Sequence, residues 1–156
     1  MTDDSPDDPG HERFVRRTHE LAREAIENGD RPFGTLLERG GEVLAEDVNT
    51  VLTDGDIAAH PELKLARWAA RELDADALAE TTMYTSTEPC PMCATALYNA
   101  GLRRVVYSTS AADLAAVADP GLVLPASDVF ARADDEVAVI GPVLAEEGRT
   151  IHESYW

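Results

Sequence analysis

The chain has little of three things. Of its 156 residues only two are cysteine and only one, Lys64, is lysine, while aromatics make up 6%. Two thiols cannot build a disulfide framework, and none is needed, because a domain of this size buries roughly two thirds of its unfolded surface on folding. So few rings against 44% hydrophobic residues imply a core of Ala, Val and Leu. No apolar run approaches the ~20 residues that span a bilayer. The opening MTDDSPDDPG also lacks the basic-then-apolar order of a secretory signal. The expected organisation is an acidic, disordered lead over residues 1–10 and a single domain over 11–156, in the cytoplasm and away from membranes. In that compartment two close thiols stay reduced, and more often hold a metal or work as a redox pair than form a structural bridge.

Positive charge is scarce as well. Thirteen basic residues against 30 acidic ones give a formal net charge of -17, which repels phosphate backbones and argues against nucleic acid as a partner. An acid-rich, lysine-poor surface also suits a high-salt cytoplasm, where salt screens the mutual repulsion of carboxylates, so the chain reads as halophilic.

What is present has a clear order. Phe14, Val15, Leu21, Ala22, Ala25 and Ile26 form a helical stripe that stops at Gly29. Strands over Phe33–Glu38 and Glu42–Asn49 flank Arg39-Gly40-Gly41, which is hairpin composition. A polar loop over Thr53–Ile57 precedes a dense apolar run from Leu63 to Leu73, in which Trp68 reads as core. Further strands are expected over Thr82–Ser86, Arg104–Tyr107 and Val137–Ile140. Helices are expected from Cys90 to Ala100, Ala111 to Ala118 and Leu144 to Trp156, the last weakly interrupted at Gly148. Helices alternating with strands after a hairpin imply an α/β fold, a three-layer α/β/α sandwich around a central mixed five-stranded sheet.

Both cysteines lie within Thr87–Cys93, TEPCPMC. Pro91 follows Cys90 as Pro61 follows His60, and proline is favoured at the first helical position because its missing N–H would be unpaired there. His60 and Cys90 are thus expected as helix caps, with Cys93 one turn further on the same side as Cys90. Should the two helix starts face each other, one imidazole and two thiols converge. Zinc takes such ligands, and three of them leave a fourth tetrahedral position for water, as in catalytic sites. Glu62, two residues past His60, stands where a carboxylate can carry a proton to and from that water. The other histidines, His11, His19 and His152, have no ligand-like spacing.

H-x-E followed by P-C-x-x-C is the pattern of zinc nucleobase deaminases. With PFGTLLERGGEVLAEDVNT, AHPE, TMYTSTEPCPMCATALYNAG and RRVVYS in matching order and spacing, the chain resembles the cytidine deaminase-like superfamily. Within it, the resemblance is to the branch of bacterial guanine deaminases, tRNA adenosine deaminases and fungal cytosine deaminases. It departs from that pattern at Pro61, where alanine is more usual. The resemblance implies one zinc per chain, bound by His60, Cys90 and Cys93 with a water or hydroxide, and Glu62 as proton shuttle. It also implies that Asn49 contacts the substrate, although a lone Asn at a strand end is most often a turn residue. Asp113 falls where guanine deaminases read the base, and an isolated acid on an Ala-rich helix otherwise reads as solvated surface. Relatives carry an aromatic tail over the pocket, in some cases across a swapped dimer. That makes Tyr155 and Trp156 candidate substrate contacts and Glu153 a candidate aid to proton transfer, against a reading of the two rings as helix packing.

The expected function is zinc-dependent hydrolytic deamination of a free nucleobase or nucleoside by a homodimer, guanine to xanthine first, cytosine next, and adenosine in tRNA third. A CxxC redox protein is the rival from another class, but it gives His60-Pro61-Glu62 nothing to do. A zinc-stapled binding module is a third, and it has no need of a proton carrier such as Glu62.

Overall fold

Successive side chains of a strand point to opposite faces, so adjacent apolar pairs mark a sheet covered on both sides. Three such pairs, Leu36-Leu37, Met83-Tyr84 and Val105-Val106, lie in β1 (Gly34–Arg39), β3 (Thr82–Thr87) and β4 (Arg104–Thr109). With β2 (Glu42–Val48) and β5 (Ala138–Ile140) these strands form one sheet in the order β2-β1-β3-β4-β5. The computed structural model describes residues 4–156. In it β1 runs antiparallel to both β2 and β3, and β3, β4 and β5 are mutually parallel.

The register sorts the pairs into two rows. Leu36, Tyr84, Val106 and Ile140 align across four strands on one face. There they pack with Phe14 and Val15 of α1 (Glu12–Glu27). Leu37, Met83 and Val105 align on the other face and pack against α3 (Pro61–Glu72), α5 (Pro91–Ala100) and α7 (Ala126–Phe130). α8 (Ala145–Tyr155) lies beside α1. The expected three layers and mixed five-stranded sheet are therefore present. Among the described residues no helix is long and apolar enough to cross a membrane.

Two glycines mark where backbones touch. A Cβ on Gly34 would overlap Leu21 Cβ and stand 2.7 Å from Ala22 N and Thr18 O, so α1 crosses β1 with no room for a side chain. A Cβ on Gly148 would stand 2.6 Å from Ser108 Oγ and Thr109 Oγ1. α8 therefore runs through Gly148 without a break, and the residue serves close approach to β4.

Three short helices were not expected. α2 (Val51–Asp54) starts ahead of the expected polar loop and runs into it, because buried Asp30 accepts from Leu52 N and Thr53 N at 3.0 Å and from Thr53 Oγ1 at 2.7 Å. α4 (Ala75–Ala79) is capped by Asp74, and α7 starts where Glu88 accepts from Ala126 N. Asp30 and Glu88 are distant acceptors, which a local pattern does not reveal. α6 (Ala111–Val117) is capped locally by Ser110. Within the expected lead, residues 1–3 lie outside the described residues. Pro9–His11 form one 3-10 turn capped by Asp8, and buried His11 meets Tyr84 Oη at 2.9 Å.

Candidate active site

Both prolines do what their position implies. His60 and Cys90 are the N-caps of α3 and α5, with Pro61 and Pro91 opening the helices. Neither side chain caps its own helix, so both are free to turn towards the neighbouring helix start. His60, Cys90 and Cys93 converge, with ligand atoms within 4.8 Å of one another. His60 Nδ1 lies 3.7 Å from Cys90 Sγ and 3.6 Å from Cys93 Sγ. Ligands held at about 2.3 Å (sulfur) and 2.0–2.1 Å (nitrogen) from a tetrahedral zinc stand about 3.6 Å apart, so donor types and spacing both fit such an ion.

The electrostatics favour one ready thiolate. Cys90 is pushed down to about 4, first by the hydrogen bond from Cys93 and then by His60, against the cost of burial. Cys93, fully buried, is pushed up by giving its proton to Cys90 and by burial. The two sulfurs thus share one proton, beside two helix N-termini whose partial positive charge favours the anion.

Glu62 lies in the first turn of α3 with 5% of its surface exposed. Thr35 and Thr85, directly opposed on β1 and β3, both donate to its Oε1, at 2.9 and 3.0 Å. Burial raises its pKa, and the neighbouring His60 opposes that rise. A carboxyl whose proton affinity is raised by burial and which is locked in one orientation can exchange a proton at a fixed point.

These groups open into a cavity of about 390 Å³, within the range of small-ligand sites. His60, Glu62 and Cys90 line it, together with Arg31, Phe33 and Asn49 and with Leu114, Asp119 and Leu122. Asn49 is buried, and its Oδ1 accepts from Val51 N at 3.0 Å, so it is a turn residue as well as a cavity residue. Trp156 also lines the cavity and meets Tyr155 edge-on, with ring centroids 4.7 Å apart. Tyr155 and the exposed Glu153 are not among the lining residues. Nor is Asp113, whose carboxylate pairs instead with Arg149 at 3.3 Å. Arg103 stacks on Tyr98 and pairs with Asp135, while Arg104 pairs with Asp4.

Sequence reasoning missed Arg31, Phe33, Thr87, Glu88 and the stretch from Leu114 to Leu122 as cavity residues. Glu88 sits beside the cysteine motif. Its Oε1 accepts from Ala111 N at 2.9 Å and its Oε2 from Ala126 N at 2.6 Å. One carboxylate thereby holds both ends of the segment that contributes Leu114, Asp119 and Leu122 to the lining. Its place in TEPC was the available signal.

Comparison with known proteins gives a consistent picture. The family model described as MafB19-like deaminase matches residues 10–135. The probable cytosine deaminase of Schizosaccharomyces pombe is 26% identical over 151 residues, 92% of this chain and 90% of the relative. Guanine deaminase of Bacillus subtilis is 40% identical over 106 residues, 67% of this chain and 68% of the relative. A solved guanine deaminase from Nitrosomonas europaea superposes with a TM-score of 0.79 at 25% identity, covering 94% of this chain and 84% of that one.

Proposed function

Because this chain belongs to the MafB19-like deaminase family, we propose that it is a zinc-dependent hydrolytic deaminase of a free nucleobase or nucleoside, with guanine the favoured base. The observation that carries this reading is the meeting of His60, Cys90 and Cys93 beside the buried, doubly hydrogen-bonded Glu62.

Zinc held by His60 Nδ1 and the two sulfurs would supply a Lewis acid able to lower the pKa of water towards ~7. Glu62 would take one proton from the attacking water and give it to the ring nitrogen next to the carbon under attack, then carry the second proton from the new hydroxyl to the departing amino group. The new carbon–oxygen bond replaces the carbon–nitrogen bond, and the amine leaves as ammonia. Thr35 and Thr85 keep the Glu62 carboxyl aimed throughout. Asn49, Phe33 and Trp156 line the space a flat base would fill, one polar residue and two rings that suit its edge and faces.

The favoured base rests on the guanine deaminase relatives. Cytosine is the second reading, supported by the cytosine deaminase relative that spans 92% of the chain. The net charge of -17 weighs against a tRNA substrate. A dithiol redox role leaves the contacts of His60 with both sulfurs, and the buried Glu62, without a purpose. The test is ammonia release from guanine, cytosine, adenine and their nucleosides by zinc-loaded protein, in high and low salt. Guanine should be turned over fastest, and release from none of them would overturn the proposal.

A further inference from the structure

One line of hydrogen bonds joins α8 to the cavity. Trp156 Nε1 donates to His152 Nδ1 at 3.0 Å, and His152 Nε2 stands 2.7 Å from Thr87 Oγ1. Phe33 packs on the same imidazole, with ring centroids 5.5 Å apart. An indole N–H can only donate, so His152 Nδ1 must be bare. Burial pushes His152 down to about 4, which leaves the ring neutral at pH 7 with its single proton on Nε2. Nε2 therefore donates to Thr87 Oγ1. That fixes the polarity of the hydroxyl: a lone pair is taken, and its own hydrogen remains to be given. Among the described residues Thr87 Oγ1 has no other hydrogen-bond partner. Thr87 is 3% exposed and lines the cavity, as do Trp156 and Phe33. A buried donor left without an acceptor costs free energy, so the acceptor is to be sought in what fills the cavity.

We propose that Thr87 is a substrate-binding residue whose hydroxyl donates to a carbonyl oxygen or bare ring nitrogen of the base, and that Trp156 and His152 are the positioning residues that set its direction. This rests on the nucleobase reading above. Guanine and cytosine both carry such acceptors.

Nitrogen NMR of the imidazoles reads the tautomer without substrate, and His152 should show a bare Nδ1 and a protonated Nε2. Thr87→Val, which keeps the shape and drops the hydroxyl, should lower kcat/KM about tenfold with zinc content unchanged. Trp156→Phe keeps a ring and removes the donor, and should cost about three- to fivefold in the wild-type background and little more in Thr87→Val, because the two act through one hydrogen-bonded chain. A proton on Nδ1, a Thr87→Val enzyme within about twofold of wild type, or losses that simply multiply would each overturn the proposal. A protein that deaminates no base would sink the substrate reading instead, and the relay would then stand or fall on the tautomer.

Discussion

Replacing Glu62 with glutamine removes a proton carrier and changes little else. The side chain keeps its size, and the amide oxygen can still accept from Thr35 and Thr85, which donate at 2.9 and 3.0 Å in the parent. Glu62→Ala is the blunter change, since it removes the acceptor those two buried hydroxyls share and leaves them only each other and the Thr87 carbonyl. An amide cannot take up and return a proton, so the whole general acid–base contribution should vanish, about 10²–10⁴-fold in kcat. That is about 3–5 kcal/mol of barrier. Ammonia release at saturating base gives kcat, plasma mass spectrometry gives bound zinc, and thermal unfolding gives stability. Zinc should remain stoichiometric and the unfolding temperature near that of wild type while turnover collapses. Activity within about tenfold of wild type at full zinc would refute the argument, as would loss of the metal, which would make Glu62 part of the ion's own coordination.

Two further outcomes follow from the surroundings of particular side chains. His19 and His152 are 1% and 2% exposed, and burial pushes each from 6.5 down to about 4. Glu147 partly offsets this at His19 while Arg16 and Arg23 reinforce it, and His19 itself lowers His152. The unfolded chain binds protons near 6.5 and the folded chain does not, so this stabilisation is complete above 6.5 and is lost as pH falls towards about 4. The loss is up to about 3 kcal/mol per ring, and urea midpoints should already fall between about pH 6.5 and 5, above the range where ordinary carboxyls titrate. A flat profile there would show that the rings are not held neutral. Asp113→Ala should leave guanine kcat/KM within about threefold, since that carboxylate serves a half-exposed pair with Arg149, whereas a hundredfold loss would assign it to the base.

Much of the architecture was legible because it rests on local rules. Hairpin composition around Arg39-Gly40-Gly41 gave the first two strands, a 3.6-residue stripe gave α1, and the prolines after His60 and Cys90 located both helix starts. The meeting of His60, Cys90 and Cys93 followed from those starts. The lining from Leu114 to Leu122 was hidden because its segment is tied at both ends to Glu88, which is distant in the chain. The histidines were hidden for a similar reason. His11, His19 and His152 have no meaningful spacing in the chain, yet each is buried against a hydroxyl, that of Tyr84, Ser108 and Thr87 respectively. Only folding brings those partners within reach. Asp113 shows the converse, a position that matches relatives in sequence while its side chain pairs elsewhere.

The carboxylate of Glu88, next to the proline that precedes Cys90, grips both ends of a segment it does not belong to. Anchored at two points, the stretch between Ala111 and Ala126 can be rewritten, lengthened or repacked while the reacting centre keeps its shape. Such a division would let this part of the lining vary without moving the cysteine motif.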